Sequence, residues 1–133
     1  MDVTPLIKSD QQVIQSYSNG RFRVSGHVYD SAVFVAPHET YIWDFSGTIQ
    51  DIQIQDFAPL FDAADDIDVV LLGCGPQMEF ISPSFKQALK AKGLVLEVMD
   101  TGAACRTYNV LMAEGRRIVA ALLPARNDGD LRV

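Results

Sequence analysis

Two short stretches hold the residue types from which a binding or catalytic site could be built. The first, Gly73-Cys74-Gly75, follows an apolar run, and the second, within 100–109, offers a carboxylate, a hydroxyl, a thiol, a phenol and an amide. Glycines allow close approach to the backbone, and the polar groups suit anion binding at a helix N-terminus or thiol chemistry. The candidate site residues are Gly73, Cys74, Gly75, Asp100, Thr101, Cys105, Tyr108 and Asn109.

The Gly73-Cys74-Gly75 stretch loosely matches the start of a dinucleotide-binding fingerprint. That fingerprint needs a third glycine at the position that Met78 occupies here, and Pro76 interrupts the approach to the next helix. The alternative is a tight turn that needs two conformationally permissive residues. We therefore expect no dinucleotide cofactor.

The cysteines, Cys74 and Cys105, both fall near one predicted edge of the sheet. A redox pair would need them within bonding range, and a metal site would need a third and a fourth ligand. His27 and His38 lie elsewhere and have no ligand spacing. Buried, unreactive thiols are the favoured interpretation, so we predict no metal and no cofactor.

The polar residues of the second stretch also have two interpretations. Asp100 and Thr101 could receive an anion at a helix N-terminus or simply cap that helix, and capping is favoured. Tyr108 and Asn109 could line a cleft or tie their helix to the N-terminal strands, and the structural role is again favoured. No Ser-His-Asp set, activated lysine or paired carboxylates stand out, so we predict no catalytic residues.

The elements that must position these residues follow from hydrophobic patterning. Residues 56–123 read as an α/β unit that contains a βαβαβ motif, with a first helix after Asp56 and apolar runs typical of buried parallel strands. Residues 12–45 read as an antiparallel β-meander with a hairpin at Asn19-Gly20. We predict a single domain (1–133) of α/β class, three-layered with a mixed sheet. A flexible arm (1–10) and a polar tail (125–133) flank it.

The helix after Asp100 has one arc of apolar residues toward the sheet and a second group on its far side. At 100° per residue, Ala103 and Val110 point away from the sheet. Small apolar residues are unusual on a solvent face. The candidate interaction surface comprises Ala103, Arg106, Val110 and Glu114.

Composition limits the classes of partner. The chain has 133 residues and a formal net charge of −6, which disfavours nucleic acid and anionic membrane surfaces. No run is long enough to span a membrane, and residues 1–10 lack the features of a secretory signal or transit peptide. We expect a cytoplasmic protein with a protein partner, and a homo-oligomer is compatible with the sequence.

The stretch Thr107-Tyr-Asn-Val-Leu-Met-Ala-Glu-Gly-Arg116, preceded by Gly73-Cys-Gly and Gly93–Asp100, resembles the respiratory complex I assembly factor 3 family and its bacterial and archaeal relatives. The resemblance covers nearly the whole chain. It implies a three-layer fold with a mixed sheet and a cleft at one sheet edge. It also implies a non-enzymatic assembly role in the mitochondrial members, with no established catalytic residues, and the absent transit peptide suggests a bacterial relative.

Two functions follow as hypotheses. The first is a non-catalytic interaction or assembly-type protein that uses the face around Ala103 and Val110. The alternative is a small-molecule binding protein or enzyme that takes an anionic ligand in a cleft between loops 73–81 and 100–109.

Overall fold

The computed structural model describes residues 11–125 and the backbone of a short strand at 131–132. The predicted arm, 1–10, lies outside the described residues, as does most of the predicted tail. The strands are β1 (Ile14–Ser18), β2 (Arg21–Val24), β3 (His27–Tyr29), β4 (Val33–Ala36), β5 (Glu39–Ile42), β6 (Val69–Gly73), β7 (Leu96–Met99), β8 (Ile118–Leu122) and β9 (Leu131–Arg132). The α-helices are α1 (Pro83–Lys90) and α2 (Thr101–Ala113).

A five-stranded mixed sheet forms the centre of the fold. Its strand order is β5-β4-β8-β6-β7, in which β6 is parallel to both β7 and β8, while β4 is antiparallel to β8 and to β5. The strands β6 and β8 are continuous apolar runs, as expected of parallel strands that are buried on both faces. The α/β class with a mixed sheet is therefore confirmed.

The predicted meander, 12–45, is divided between two sheets. Strands β1, β2 and β3 form a separate antiparallel sheet with β9, while β4 and β5 join the central sheet. The physical reason is burial. In β4, Val33, Phe34 and Val35 are all fully buried and need cover on both faces, whereas β2 alternates exposed and buried residues and needs only one covered face.

The hairpin predicted at Asn19-Gly20 is confirmed. Asn19 and Gly20 have φ of 47° and 79° and connect β1 to β2 with the register Ser18 to Arg21, the hairpin that an Asn-Gly pair favours. Strand β9 pairs with the other side of β1, a contact that the prediction of a loose tail did not include.

Side chains of the central sheet alternate between two hydrophobic clusters. Val70 and Leu72 of β6 face one cluster, which also contains Phe57 and Leu89, and Leu71 faces the other. The second cluster is built from α2 and the inner face of β1 and β2. The sheet thus has α1 and a 3₁₀ segment on one face, and α2 with the antiparallel sheet on the other.

The 3₁₀ segment replaces the α-helix predicted after Asp56. It comprises Ile49–Asp51 and Ile54–Asp66. Asp56 lies in its first turn, where the carboxylate accepts a hydrogen bond from Gln53 N at 2.8 Å, so Asp56 does not precede the helix as an N-cap. The buried residues of Ile54–Asp66 are Phe57, Leu60 and Ala64.

Candidate functional site

The carboxyl ends of the three parallel strands meet at one rim of the central sheet. Cys74 N donates to Met99 O at 2.9 Å, and Leu123 N donates to Gly73 O at 2.9 Å, so the residues that follow β6 lie beside both neighbouring strands. The two stretches predicted to share a sheet edge are therefore adjacent, as parallel strands require.

Thr101 joins these chain segments. Its hydroxyl donates to Leu123 O at 2.7 Å and accepts from Gly75 N at 2.9 Å, while its own N–H donates to Gly75 O at 2.8 Å. The residue is fully buried, so the hydroxyl serves the fold and is not presented to a ligand. Because this buried hydroxyl has both a donor and an acceptor partner within the protein, it needs no hydrogen bond from a ligand.

Gly73 permits the close approach of α2 to β6. A Cβ at this position would lie 3.0 Å from the Thr101 Cα and 3.1 Å from the Leu122 Cδ2. A backbone atom cannot move aside as the end of a flexible side chain can, so only glycine fits here without displacing α2.

Asp100 caps α2, as the favoured interpretation predicted. Its Oδ1 accepts from Ala103 N at 2.8 Å, and the Thr101 N–H is already bonded to Gly75 O. Two donors that an anion would need at this helix N-terminus are thus engaged within the protein. The anion-binding interpretation of Asp100 and Thr101 has no support from this geometry.

The two cysteines are free thiols on opposite sides of the sheet. Cys74 packs in the cluster that contains Phe57, whereas Cys105 packs in the cluster built around α2. They are not a redox pair in this structure. Burial raises the pKa of both thiols, that of Cys105 to about 12, so neither has the thiolate character of a reactive cysteine.

The Cys74 thiol organises the loop that follows β6. Its Sγ donates to Gln77 O at 3.1 Å and accepts from Glu79 N at 3.3 Å. Desolvation is the main cause of its raised pKa, and the Glu79 and Asp100 carboxylates add to it. A neutral thiol that both donates and accepts thus holds the loop in one shape.

Tyr108 and Asn109 tie α2 to the N-terminal strands. The Tyr108 hydroxyl donates to Gln12 O at 2.9 Å, and burial raises the pKa of this phenol. The Asn109 amide bonds to both backbone polar groups of Ile14. Neither residue lines the cleft at the rim, so the structural interpretation describes both.

The cleft at this rim has a volume of about 620 Å³. One wall is the predicted loop, through Cys74, Gly75, Pro76 and Glu79. The other walls are 30–32, 45–49 and 123–124. No residue of 100–109 lines it, so this cleft is a different one from the cleft expected between 73–81 and 100–109. The cause is Thr101, whose hydrogen bonds close that gap.

The charged side chains in the described lining of the cleft are both acidic. They are Asp30 and Glu79, and Glu79 Oε1 accepts a hydrogen bond from Gln50 Nε2 at 3.1 Å. Like charges repel, so an anionic ligand is disfavoured here. Sequence reasoning missed Asp30 because it precedes β4, more than forty residues from Gly75.

The adjacent Arg116 and Arg117 lie elsewhere, before β8, and are engaged with acidic partners. Arg117 Nη2 contacts Asp68 Oδ1 at 2.8 Å, and Arg116 Nε lies 4.0 Å from Asp68 Oδ2. The hydrogen bond from Arg117 lowers the pKa of Asp68. This basic pair therefore adds no positive charge to the cleft.

Two surfaces of the protein, one on α2 and one in the loop after β6, expose apolar side chains to solvent. On α2, Arg106 and Val110 are exposed and Ala103 is partly buried, and Glu114, directly after the helix, is exposed as well. The predicted interaction surface therefore reaches solvent. In the loop after β6, Met78 and Phe80 are 60% and 79% exposed. Sequence reasoning missed this second apolar surface, because an aromatic residue is usually assigned to the core.

Within residues 11–125, no group of three or more His, Cys, Asp or Glu side chains is arranged to hold a metal ion. No helix of the described chain is long and apolar enough to cross a membrane.

The chain is similar to a described protein family and to several known proteins. A model of the family described as "protein of unknown function (DUF498/DUF598)" matches residues 14–123. Bovine NADH dehydrogenase (ubiquinone) 1 alpha subcomplex assembly factor 3 is 34% identical over 111 residues, which are 84% of this chain and 60% of that protein. This chain thus spans about 60% of the length of that relative.

Bacterial proteins match over more of their length. An uncharacterized protein of Rhodobacter capsulatus is 33% identical over 84% of this chain and 83% of its own. A crystal structure of a protein from Bordetella parapertussis superposes with a TM-score of 0.76 at 35% identity, covering 86% of this chain and 96% of that one. The resemblance to assembly factor 3 and its bacterial relatives is confirmed.

Proposed function

The chain belongs to the family described as a protein of unknown function (DUF498/DUF598), and from this we propose that it is a non-catalytic, assembly-type protein that binds another protein. The assembly role is supported by relatives that are named assembly factors of NADH dehydrogenase. A cytoplasmic location and a bacterial origin are parts of the same proposal. Two free buried thiols and the match to the Rhodobacter capsulatus protein support them.

The main support for this proposal is that the polar groups at this rim of the sheet form their hydrogen bonds within the protein. Thr101, Asp100 and the Cys74 thiol are all hydrogen-bonded within the fold. An acid, base or nucleophile must present its polar atom to a substrate. These groups instead hold three strand ends and two loops in place, which suits a rigid scaffold for recognition.

We place the partner on the outer side of α2. Arg106 and Val110 of α2 and Glu114, its C-cap, recur at spacings of four residues, and Val110 is 57% exposed. Residues at this spacing lie on one stripe of a helix. A stripe with one aliphatic side chain between an arginine and a glutamate has the mixed character of a non-obligate interface.

Site-specific photo-crosslinking tests this placement. A benzoylphenylalanine replaces Val110 in one sample and Gln87 in the other. Gln87 is exposed on α1, which packs on the opposite face of the sheet. We expect irradiation in cells to give a discrete protein adduct from position 110 and none from position 87. Adducts of equal yield at both positions, or none at either, would contradict the proposal.

The cleft of about 620 Å³ supports a second candidate function, the binding of a small molecule. Because Asp30 and Glu79 line it, the charge favours an amine or a neutral ligand and no longer an anion. A thermal-shift screen of matched amines and carboxylic acids tests this candidate. Stabilisation by amines supports it, and no shift in either set counts against it.

A further inference from the structure

The loop between β6 and α1 exposes two large apolar side chains in a three-residue stretch. Phe80 is 79% exposed and Met78 is 60% exposed, and they flank Glu79, which lines the cleft. Aromatic residues and methionine are enriched in protein interfaces relative to the rest of the protein surface. Leaving both in water has a free-energy cost that a bound partner would remove.

This loop is held in place without a partner. The Cys74 Sγ donates to Gln77 O and accepts from Glu79 N, and Gln50 Nε2 donates to the Glu79 carboxylate. Ile81, the next residue after Phe80, packs against the hydrophobic core. A surface that is already ordered loses little conformational entropy on binding, so its exposed apolar groups contribute more of their free energy to affinity.

Charge defines the chemistry of the occupant. Asp30 and Glu79 are the charged side chains of the described cleft lining, and the whole chain carries a formal net charge of −6. A lysine or arginine would be attracted to the cleft, whereas an acidic segment would be repelled. A second copy of this chain would bring the same acidic groups, so self-association through this surface is disfavoured.

We propose that the cleft and the exposed side chains of Met78 and Phe80, on either side of Glu79 in the chain, form a docking surface for an extended segment of a protein partner. In that segment an apolar anchor residue lies next to a lysine or arginine. The anchor packs on Phe80 and Met78 while the basic side chain enters the cleft between Asp30 and Glu79. A small molecule confined to the cleft would leave Phe80 in water, so a segment accounts for both features. This inference rests on the proposed protein-binding role and adds a second surface to it.

Peptide selection on the full chain tests the inference. The probe is a displayed library of random peptides of about 12 residues, which span roughly 40 Å when extended. We expect selected peptides to share an aromatic or aliphatic residue within a few positions of a lysine or arginine. Selection of acidic peptides, or of none above background, would overturn the inference.

Variants then locate the binding surface with the best selected peptide. Phe80→Ser should weaken binding about tenfold or more, because an apolar anchor at the centre of an interface dominates affinity. Glu79→Gln keeps the acceptor for Gln50 but removes the charge, so binding should weaken severalfold and lose part of its salt dependence. Val95→Ser is the matched control: Val95 is an exposed aliphatic residue directly before β7, and it does not line the cleft. It should leave the affinity unchanged, and an effect of Val95→Ser equal to that of Phe80→Ser would overturn the assignment.

The outcome separates this inference from the proposed function. If position 110 crosslinks to a partner and no peptide is selected, the protein-binding role stands and the second surface does not. If peptides bind through Phe80 and position 110 gives no adduct, the placement on α2 fails and the cleft remains as the binding surface.

Discussion

Asn109 forms a pair of hydrogen bonds with the backbone of Ile14. Its Oδ1 accepts from Ile14 N at 3.0 Å, and its Nδ2 donates to Ile14 O at 2.8 Å. An amide side chain offers the same donor and acceptor as a peptide unit, so Asn109 acts on β1 as a neighbouring strand would. This contact joins α2 to the antiparallel sheet across 95 residues of sequence.

Asn109→Ala should therefore destabilise the protein substantially. It leaves a partly buried N–H and C=O of Ile14 without partners, and we expect the free energy of unfolding to fall by about 2–4 kcal/mol. Urea denaturation measures the change. Arg106→Ala, an exposed site on the same helix, is the control and should change stability by less than about 0.5 kcal/mol. Equal stability of the two variants would show that the Ile14 contact contributes nothing.

A second prediction concerns the Thr101 hydroxyl, and the conservative variant Thr101→Ser is its control. Thr101→Val keeps the shape of the side chain but removes the partners of Gly75 N and Leu123 O. We expect a loss of about 2–4 kcal/mol in the free energy of unfolding. Thr101→Ser retains the hydroxyl and should lose only about 1 kcal/mol for the deleted methyl group. If Thr101→Ser proves as unstable as Thr101→Val, packing of the methyl group matters more than the hydrogen bonds.

Sequence reasoning predicted the features of this fold that depend on neighbouring residues. The Asn19-Gly20 hairpin and the Asp100 cap of α2 each need only a few adjacent residues, and both are present. Such signals are local because a turn or a cap satisfies its own backbone groups.

Features that depend on distant pairing were not predictable in the same way. The separation of β1–β3 from β4–β5 depends on β8, which pairs with β4 from more than eighty residues away. The cleft is lined by 45–49 and Asp30 as well as by Gly75, and no local sequence pattern brings these residues together. Polar side chains such as Thr101 have partners only once such long-range contacts form.

The contact between Gly102 and Tyr17 gives a third prediction, in which the sign of an effect depends on the background. A Cβ on Gly102 would overlap the Tyr17 Oη and lie 2.8 Å from its Cζ. Gly102→Ala should therefore destabilise the protein, by about 1–3 kcal/mol, even though alanine favours a helix by about 1 kcal/mol over glycine. Urea denaturation of the single variant tests this loss.

The double variant identifies the cause. In a Tyr17→Ala background the ring is absent, so Gly102→Ala should stabilise the protein by up to about 1 kcal/mol through helix propensity. A double-mutant cycle measures the coupling between the two sites. If Gly102→Ala lowers the free energy of unfolding equally with and without the Tyr17 ring, a contact other than the one with Tyr17 must cause the loss.

Cys105 gives the last prediction, which concerns alkaline pH. Burial is the main cause that raises the pKa of this thiol from 9.0 to about 12, while the charge of Arg106 lowers it and that of Asp100 raises it by smaller amounts. The unfolded chain releases this proton near pH 9 while the folded chain keeps it. The folded state then binds more protons, and stability falls as pH rises. Below pH 9 the contribution is complete, and it is lost between pH 9 and about 12.

Cys105→Ala removes this part of the pH dependence. Between about pH 8 and 10 the wild type should lose about 1.4 kcal/mol more of its free energy of unfolding than the variant does. Near pH 8 the variant should itself be less stable by about 1–2 kcal/mol, because a buried atom is deleted. Urea denaturation at both pH values separates the two effects. Parallel pH profiles for the two proteins would mean that the Cys105 thiol titrates alike in the folded and unfolded chains.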